Sequence, residues 1–276
     1  MNTLVKNNVS VTFFRKKFFF LLRNNPKLAN VIYEVFIQGG HAYVIGGYIR
    51  SLLDNSHVRD VDIIVDLPSS KLEEIVAIYC TDFSKNRHGG IKMTFNSLTV
   101  DVWCLNDNWA FRENVVNYNV NYNENKVLES IAAGCFYNYD ALVVNMLSGN
   151  FNIRYYLDCM HKKELSILKS NPNYANLNPT TEANILRAFY LKRVHDFKFS
   201  PNVSNYIVSK MPTISLDIKE SLQRLIDKLQ MYPKYNLLTA EYLKKEYMNL
   251  LFSQKETSLE QYLLSYDYFL SENNKK

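Results

Sequence analysis

Ala42-Tyr43-Val44-Ile45-Gly46-Gly47-Tyr48-Ile49-Arg50, followed shortly by Arg59-Asp60-Val61-Asp62-Ile63-Ile64-Val65, decides the reading of this chain. Ala42 to Ile45 is a short apolar run that stops at a glycine pair, the pattern of a buried strand. Tyr48 to Leu53 has the spacing of a short helix, closed by Asp54-Asn55-Ser56. Val61 to Val65 is rich in β-branched residues and ends before Pro68, so it reads as a second strand. Side chains alternate along a strand, which places Asp60 and Asp62 on one face.

Two carboxylates side by side repel unless a cation lies between them. Magnesium suits such a pair, because it prefers hard oxygen ligands and shares them with substrate phosphates. A third acid interrupts Leu98-Thr99-Val100-Asp101-Val102-Trp103-Cys104. An unpaired buried carboxylate is costly, so an acid at Asp101 inside a strand-like segment needs explaining. Set beside the first two, it completes a site for two Mg²⁺ ions, with Mn²⁺ as a substitute. Such a site activates an attacking hydroxyl and holds a leaving phosphate. Gly46 and Gly47 let backbone N–H groups approach phosphate oxygens at a helix start, and Arg50 lies one turn on.

Working outward, Val11 to Arg23 reads as a helix or strand packed on the body, and Lys27 to Gln38 as a helix stopped by Gly39-Gly40. Ser69 is placed to cap a helix running to about Cys80. Ile91–Phe95 and Leu98–Cys104 form a hairpin around Asn96-Ser97. Further on, Thr180 or Thr181 opens a helix with the stripe Ile185, Leu186, Phe189 and Val194. Ile218, Leu222, Leu225, Ile226 and Leu229 repeat at helical spacing, and Thr257-x-x-Glu260 is a capping box. The fold class expected is α+β: a head with a small mixed β-sheet flanked by helices, then an all-helical body. The expected divisions are a basic and apolar N-terminal extension at 1–26, the head at 27–170 and the body at 171–276.

Composition bounds the function. With 276 residues, 47% of them hydrophobic, the chain can bury a full core. The net charge is +5, and no acidic residue precedes Glu34 although six Lys or Arg do. A basic end of this kind suits a phosphate backbone, or is a solvated face. Cys80, Cys104, Cys135 and Cys159 form no CxxC pair, which argues against a zinc site or disulfide-linked partner and fits a reducing cytoplasm. Phe18 to Leu22 is too short to span a membrane. The five histidines are scattered, and no Ser-His-Asp set or Walker loop is visible. Trp103 and Trp109 read as core packing ahead of base stacking.

The strand, Gly46-Gly47-Tyr48-Ile49-Arg50 and Asp60-Val61-Asp62 together resemble the head domain of poly(A) polymerases and CCA-adding tRNA nucleotidyltransferases, within the DNA polymerase β-like superfamily. The likeness covers roughly residues 27–200 and is strong over 43–66. His88-Gly89-Gly90 sits where that family has a glycine loop, Asp140-Ala141-Leu142 resembles the end of its motif B, and Ile185 to Phe189 resembles its neck helix. The resemblance implies transfer of NMP from an NTP, ATP included, to a hydroxyl with release of pyrophosphate. It implies Asp60, Asp62 and Asp101 as metal ligands, and Gly46, Gly47, Arg50, Asp140 and Arg187 as nucleotide-binding residues. The implied partners are an NTP and an RNA 3′ end such as that of tRNA, with no membrane. Ser51 replaces an Asp of the motif, and Gly134-Cys135-Phe136 stands where motif B brings paired arginines. Thr181 and Asn184 stand at the positions of the family's base-selecting Asp and Arg. These departures imply altered base selection. They also leave open a defence or toxin-like enzyme acting on a protein or small molecule, and a silent RNA- or partner-binding module.

Overall fold

Ser10 starts the first helix by accepting the Phe13 N–H at 3.1 Å through its side-chain oxygen. That helix, Val11–Asn24, buries Phe14, Phe18 and Leu21, one residue per turn. The computed structural model describes residues 9–56, 60–86, 89–95, 98–112, 123–169, 180–214 and 218–253. The capping box at Thr257, the Asn96-Ser97 turn, Arg59 and His88 lie outside them. The chain divides into two compact units, Met1–Asn176 and Leu177–Lys276.

The first unit is built on a seven-stranded mixed sheet. Its strands are β1 (Ala42–Ile45), β2 (Asp60–Val65), β3 (Phe83–Lys85), β4 (Ile91–Phe95), β5 (Leu98–Cys104), β6 (Val143–Asn145) and β7 (Phe151–Asn152), in the order β3-β4-β5-β2-β1-β6-β7. Within this sheet, among the described residues, only β2 and β5 pair in parallel. All other neighbours are antiparallel.

One face is covered by helices over its central strands. Val61, Ile63 and Val65 of β2 and Val100 and Val102 of β5 are buried there. The helices Pro26–Ile37 and Ser69–Tyr79 pack over them through Leu28, Val31, Val35, Leu72, Ile75 and Val76. Lys85 on β3 bonds Glu73 of the second helix, which marks this as the covered side. Ser69 is the first helical residue and not the cap: Pro68 holds the cap position, and its ring has no polar atom with which to make a side-chain cap bond.

The other face is divided. At one end the helix Glu124–Ala133 lays Val127, Leu128 and Ile131 on Tyr43, Ile64 and Val143. Its Glu124 carboxylate accepts from Ser148 and Asn150 at 2.5 and 2.6 Å, and Glu129 accepts from Asn152, fixing the helix to the β6–β7 edge. At the other end the sheet carries Asp60, Asp62 and Asp101, and no apolar helix is laid on them among the described residues. The first helix docks within this unit, with Phe18 stacked on Tyr48 at 6.3 Å and Phe14 against Phe151 at 5.1 Å.

The second unit is helical, with Thr181–His195, Pro201–Ile214, Ile218–Gln230 and residues 240–253 as its helices and a short extended piece at Lys198–Phe199. Thr180 is the cap of the first, its hydroxyl accepting from Ala183 N–H at 3.5 Å. Ile185, Leu186 and Phe189 are buried as their spacing predicts, but Val194 is exposed: it falls in the last turn, off the stripe. Ser221 donates to the Met211 carbonyl at 2.9 Å and ties two of the helices together. The architecture is α+β.

Candidate active site

The parallel pairing sets Asp62 of β2 directly opposite Asp101 of β5, with Asp60 opposite Thr99. Adjacent pairings extend this into a row across the open face: Lys92, Asp101, Asp62, Ile45 and Val143. The three acids sequence reading singled out therefore share one face.

Their electrostatics follow from burial. Burial pushes the Asp62 pKa from 3.8 up to about 7, and the charges of Asp101, Asp60 and Asp140 push it the same way, against Arg50. Asp101 is also raised by burial, with Lys92 opposing and Asp60 adding to the shift. Among the described residues, no three Asp, Glu, His or Cys side chains are gathered into a preassembled metal cage. The donor set nevertheless fits a hard divalent cation. Oxygen ligands dominate, mutual repulsion calls for positive charge, and magnesium completes its shell with water and phosphate oxygens.

β1 ends opposite Asp62, so the glycine turn lies beside the Asp60 end of β2. Gly46 has φ 61° and ψ −118°, a backbone region that L side chains rarely enter. Its N–H donates to the Leu142 carbonyl at 2.9 Å, and its carbonyl accepts from Arg50 N–H at 3.2 Å. The Gly46 amide is thus committed within the protein. An anion at this turn would meet the helix-start N–H groups from Gly47 onward.

Arg50, on the helix Gly47–Asp54, has its guanidinium 3.1 Å from the Asp140 carboxylate and 3.2 Å from the Tyr139 carbonyl. It also lies over the Tyr139 ring, 4.4 Å from its centroid. Arg50 and Asp140 thus form a fixed pair at the edge of the carboxylate cluster. Cys135, where paired arginines would stand in the resembled family, is partly buried, and desolvation and the Asp140 charge push its thiol up to about 12. A neutral thiol occupies that place.

Trp103 follows Asp101 on the same face, but its indole lies on Gly90. A Cβ built at Gly90 would meet Nε1 at 2.1 Å. The ring therefore packs against backbone, as expected of a structural tryptophan. The side chain of Trp109 lies outside the described residues. Asp60, Asp62, Asp101, Gly46, Gly47, Arg50 and Asp140 all belong to the first unit. Arg187 belongs to the second, on the helix Thr181–His195, where Asn184 is buried. Sequence reading passed over Lys92. The alternation Ile91-Lys92-Met93-Thr94, counted back from a two-residue turn at Asn96-Ser97, would have found it opposite Asp101.

No protein-family model matches the sequence, and neither does any curated protein. Solved structures do resemble the fold. A CCA-adding enzyme in complex with CTP is 15% identical with a TM-score of 0.50, over 75% of this chain and 49% of that one. A tRNA nucleotidyltransferase with a primer tRNA and an incoming ATP analogue is 19% identical, with a TM-score of 0.49, over 75% and 61%. A Thermotoga maritima CCA-adding enzyme complexed with tRNA is 12% identical, with a TM-score of 0.48, over 76% and 50%. This chain spans about half the length of the first of these. The fold is that of the CCA-adding enzymes, carried here at low identity.

Proposed function

We propose that the protein is a metal-dependent nucleotidyltransferase that transfers NMP from an NTP to a hydroxyl, the 3′ end of an RNA such as tRNA being the acceptor. The observation that carries this reading is the placement of Asp62 against Asp101, with Asp60 on the same open face beside the Gly46-Gly47 turn. Asp62 and Asp101, held opposite each other where burial penalises their charges, are costly unless a cation is used there. The neighbouring fold supports the same reading, since a CCA-adding enzyme of this fold was solved with CTP.

In this reading Asp60, Asp62 and Asp101 hold two divalent cations, Mg²⁺ or Mn²⁺, which supply Lewis-acid neutralisation of the phosphates and a more acidic acceptor hydroxyl. The helix start at Gly47 receives the triphosphate. Arg50, braced by Asp140, adds positive charge beside it. The acceptor oxygen bonds the α-phosphorus, the bond to the bridging oxygen of the β-phosphate breaks, and pyrophosphate leaves with that electron pair. The hydroxyl proton passes to solvent. With Cys135, Thr181 and Asn184 in the positions described above, base selection differs from that of ordinary CCA addition.

The test is incubation with total RNA, Mg²⁺ and each labelled NTP separately, resolved on a denaturing gel. A labelled RNA band that disappears in Asp60→Asn is the expected result. Label incorporated equally by Asp60→Asn would sink the assignment of the carboxylates.

A further inference from the structure

Lys92 sits next to Asp101 in the cross-sheet row, on β4, and is exposed on the same face as the three acids. Its strand neighbours Ile91 and Met93 are buried on the covered face. The order of strands gives this position its meaning. Across the face, the Gly46-Gly47 turn lies at the end of β1, Asp60 and Asp62 on β2, Asp101 on β5 and Lys92 on β4. The carboxylates therefore lie between two flanks that offer N–H donors to phosphate. One is the helix start at Gly47 with Arg50; the other is Lys92.

A triphosphate held at the glycine turn fills the first flank. The attacking group must approach the α-phosphorus from the side opposite the leaving pyrophosphate, because displacement at phosphorus is in line. That side is the Asp101–Lys92 side. We propose that Lys92 receives a backbone phosphate of the acceptor strand, next to the nucleotide that carries the attacking hydroxyl. This inference rests on the nucleotidyltransferase reading and deepens it by assigning the acceptor flank. Lys92 is a positioning residue: it fixes the strand whose terminal hydroxyl meets the cations. Its cationic charge also offsets the repulsion an acceptor phosphate meets from Asp101.

Lys85 provides an internal control. It carries the same charge on the neighbouring strand β3, but lies on the covered face bonded to Glu73. Binding of a fluorescent single-stranded RNA oligonucleotide ending in a 3′-deoxyribose is measured by anisotropy over a range of salt, for wild type, Lys92→Ala, Lys92→Arg and Lys85→Ala. Removing one phosphate contact should weaken binding roughly five- to tenfold and make the salt slope shallower by about 0.7. Lys92→Arg should retain the slope, and Lys85→Ala should match wild type. In turnover, Lys92→Ala should raise KM for RNA while KM for the NTP stays unchanged.

An unchanged salt slope in Lys92→Ala, or a KM rise confined to the NTP, overturns the assignment. So does a wild type that does not bind the oligonucleotide. Failure of the underlying reading has a separate signature, namely no Mg²⁺-dependent NTP consumption in wild type relative to Asp62→Asn, whatever the RNA binding.

Discussion

Asp62 carries a conflict between burial and charge, and the conflict makes it a pH-sensitive position. Its pKa is pushed to about 7 in the folded protein from 3.8. Between those values the folded state binds the extra proton, so stability falls as pH rises through the window in metal-free protein. A bound divalent cation reverses the effect by favouring the carboxylate. The melting temperature in EDTA should therefore drop by several degrees between pH 5 and pH 8, and Mg²⁺ should restore it at pH 8 but not at pH 5. Asp62→Asn should remove the drop while abolishing turnover, so a flat wild-type profile in EDTA would count against the electrostatics described. At Gly46, the positive φ predicts that Gly46→Ala costs about 1–3 kcal/mol by denaturant unfolding. Arg50→Lys keeps the charge beside Asp140 but loses the planar contact with Tyr139, and should leave a measurably weaker fold than wild type.

The element scale separates what pattern reveals from what it hides. Strands β1, β2, β4 and β5 were legible because each alternates or runs apolar between clear turn signals, and two adjacent strands sharing a tight turn have their register set by it. The three-residue β6 and the two-residue β7 carry too little pattern to be read. The helix Glu124–Ala133 was missed although Asn123 caps it through Lys126 N–H, because the polar Asn- and Tyr-rich stretch before it carries no periodicity. The pairing of Arg50 with Asp140 joins residues 90 apart in sequence, and no local signal announces it. The first helix offers a test at this scale. Phe14 and Phe18 are buried while Phe19 and Phe20 are 62% and 53% exposed. Phe14→Ala and Phe18→Ala should each cost about 3–5 kcal/mol. Phe19→Ser and Phe20→Ser should fall within about 0.5 kcal/mol of wild type in urea unfolding. Equal losses in the two pairs would contradict the docking of this helix on Tyr48 and Phe151.

At the scale of the whole molecule, the acids, the glycine turn and the Arg50–Asp140 pair all fall in the unit Met1–Asn176, while Arg187 falls in Leu177–Lys276. A fragment spanning 1–176 should keep the Mg²⁺- and NTP-dependent rise in melting temperature. Loss of that rise in a folded fragment would mean that the nucleotide site needs the second unit. The parallel pairing of β2 with β5 has a kinetic consequence. Parallel neighbours cannot be joined by a tight turn, and here the connection runs through the helix Ser69–Tyr79 and the β3–β4 hairpin. The chain must close a long loop before Asp62 and Asp101 meet, and closing it brings like charges together. Slipping by one residue would relieve that repulsion by turning both acids away from each other, but it would also drive charge into the packed face. Refolding is therefore expected to be slowest in metal-free, alkaline solution and to quicken on acidification, with the carboxylates acting as a brake on the zipping of the sheet until a cation or a proton releases it.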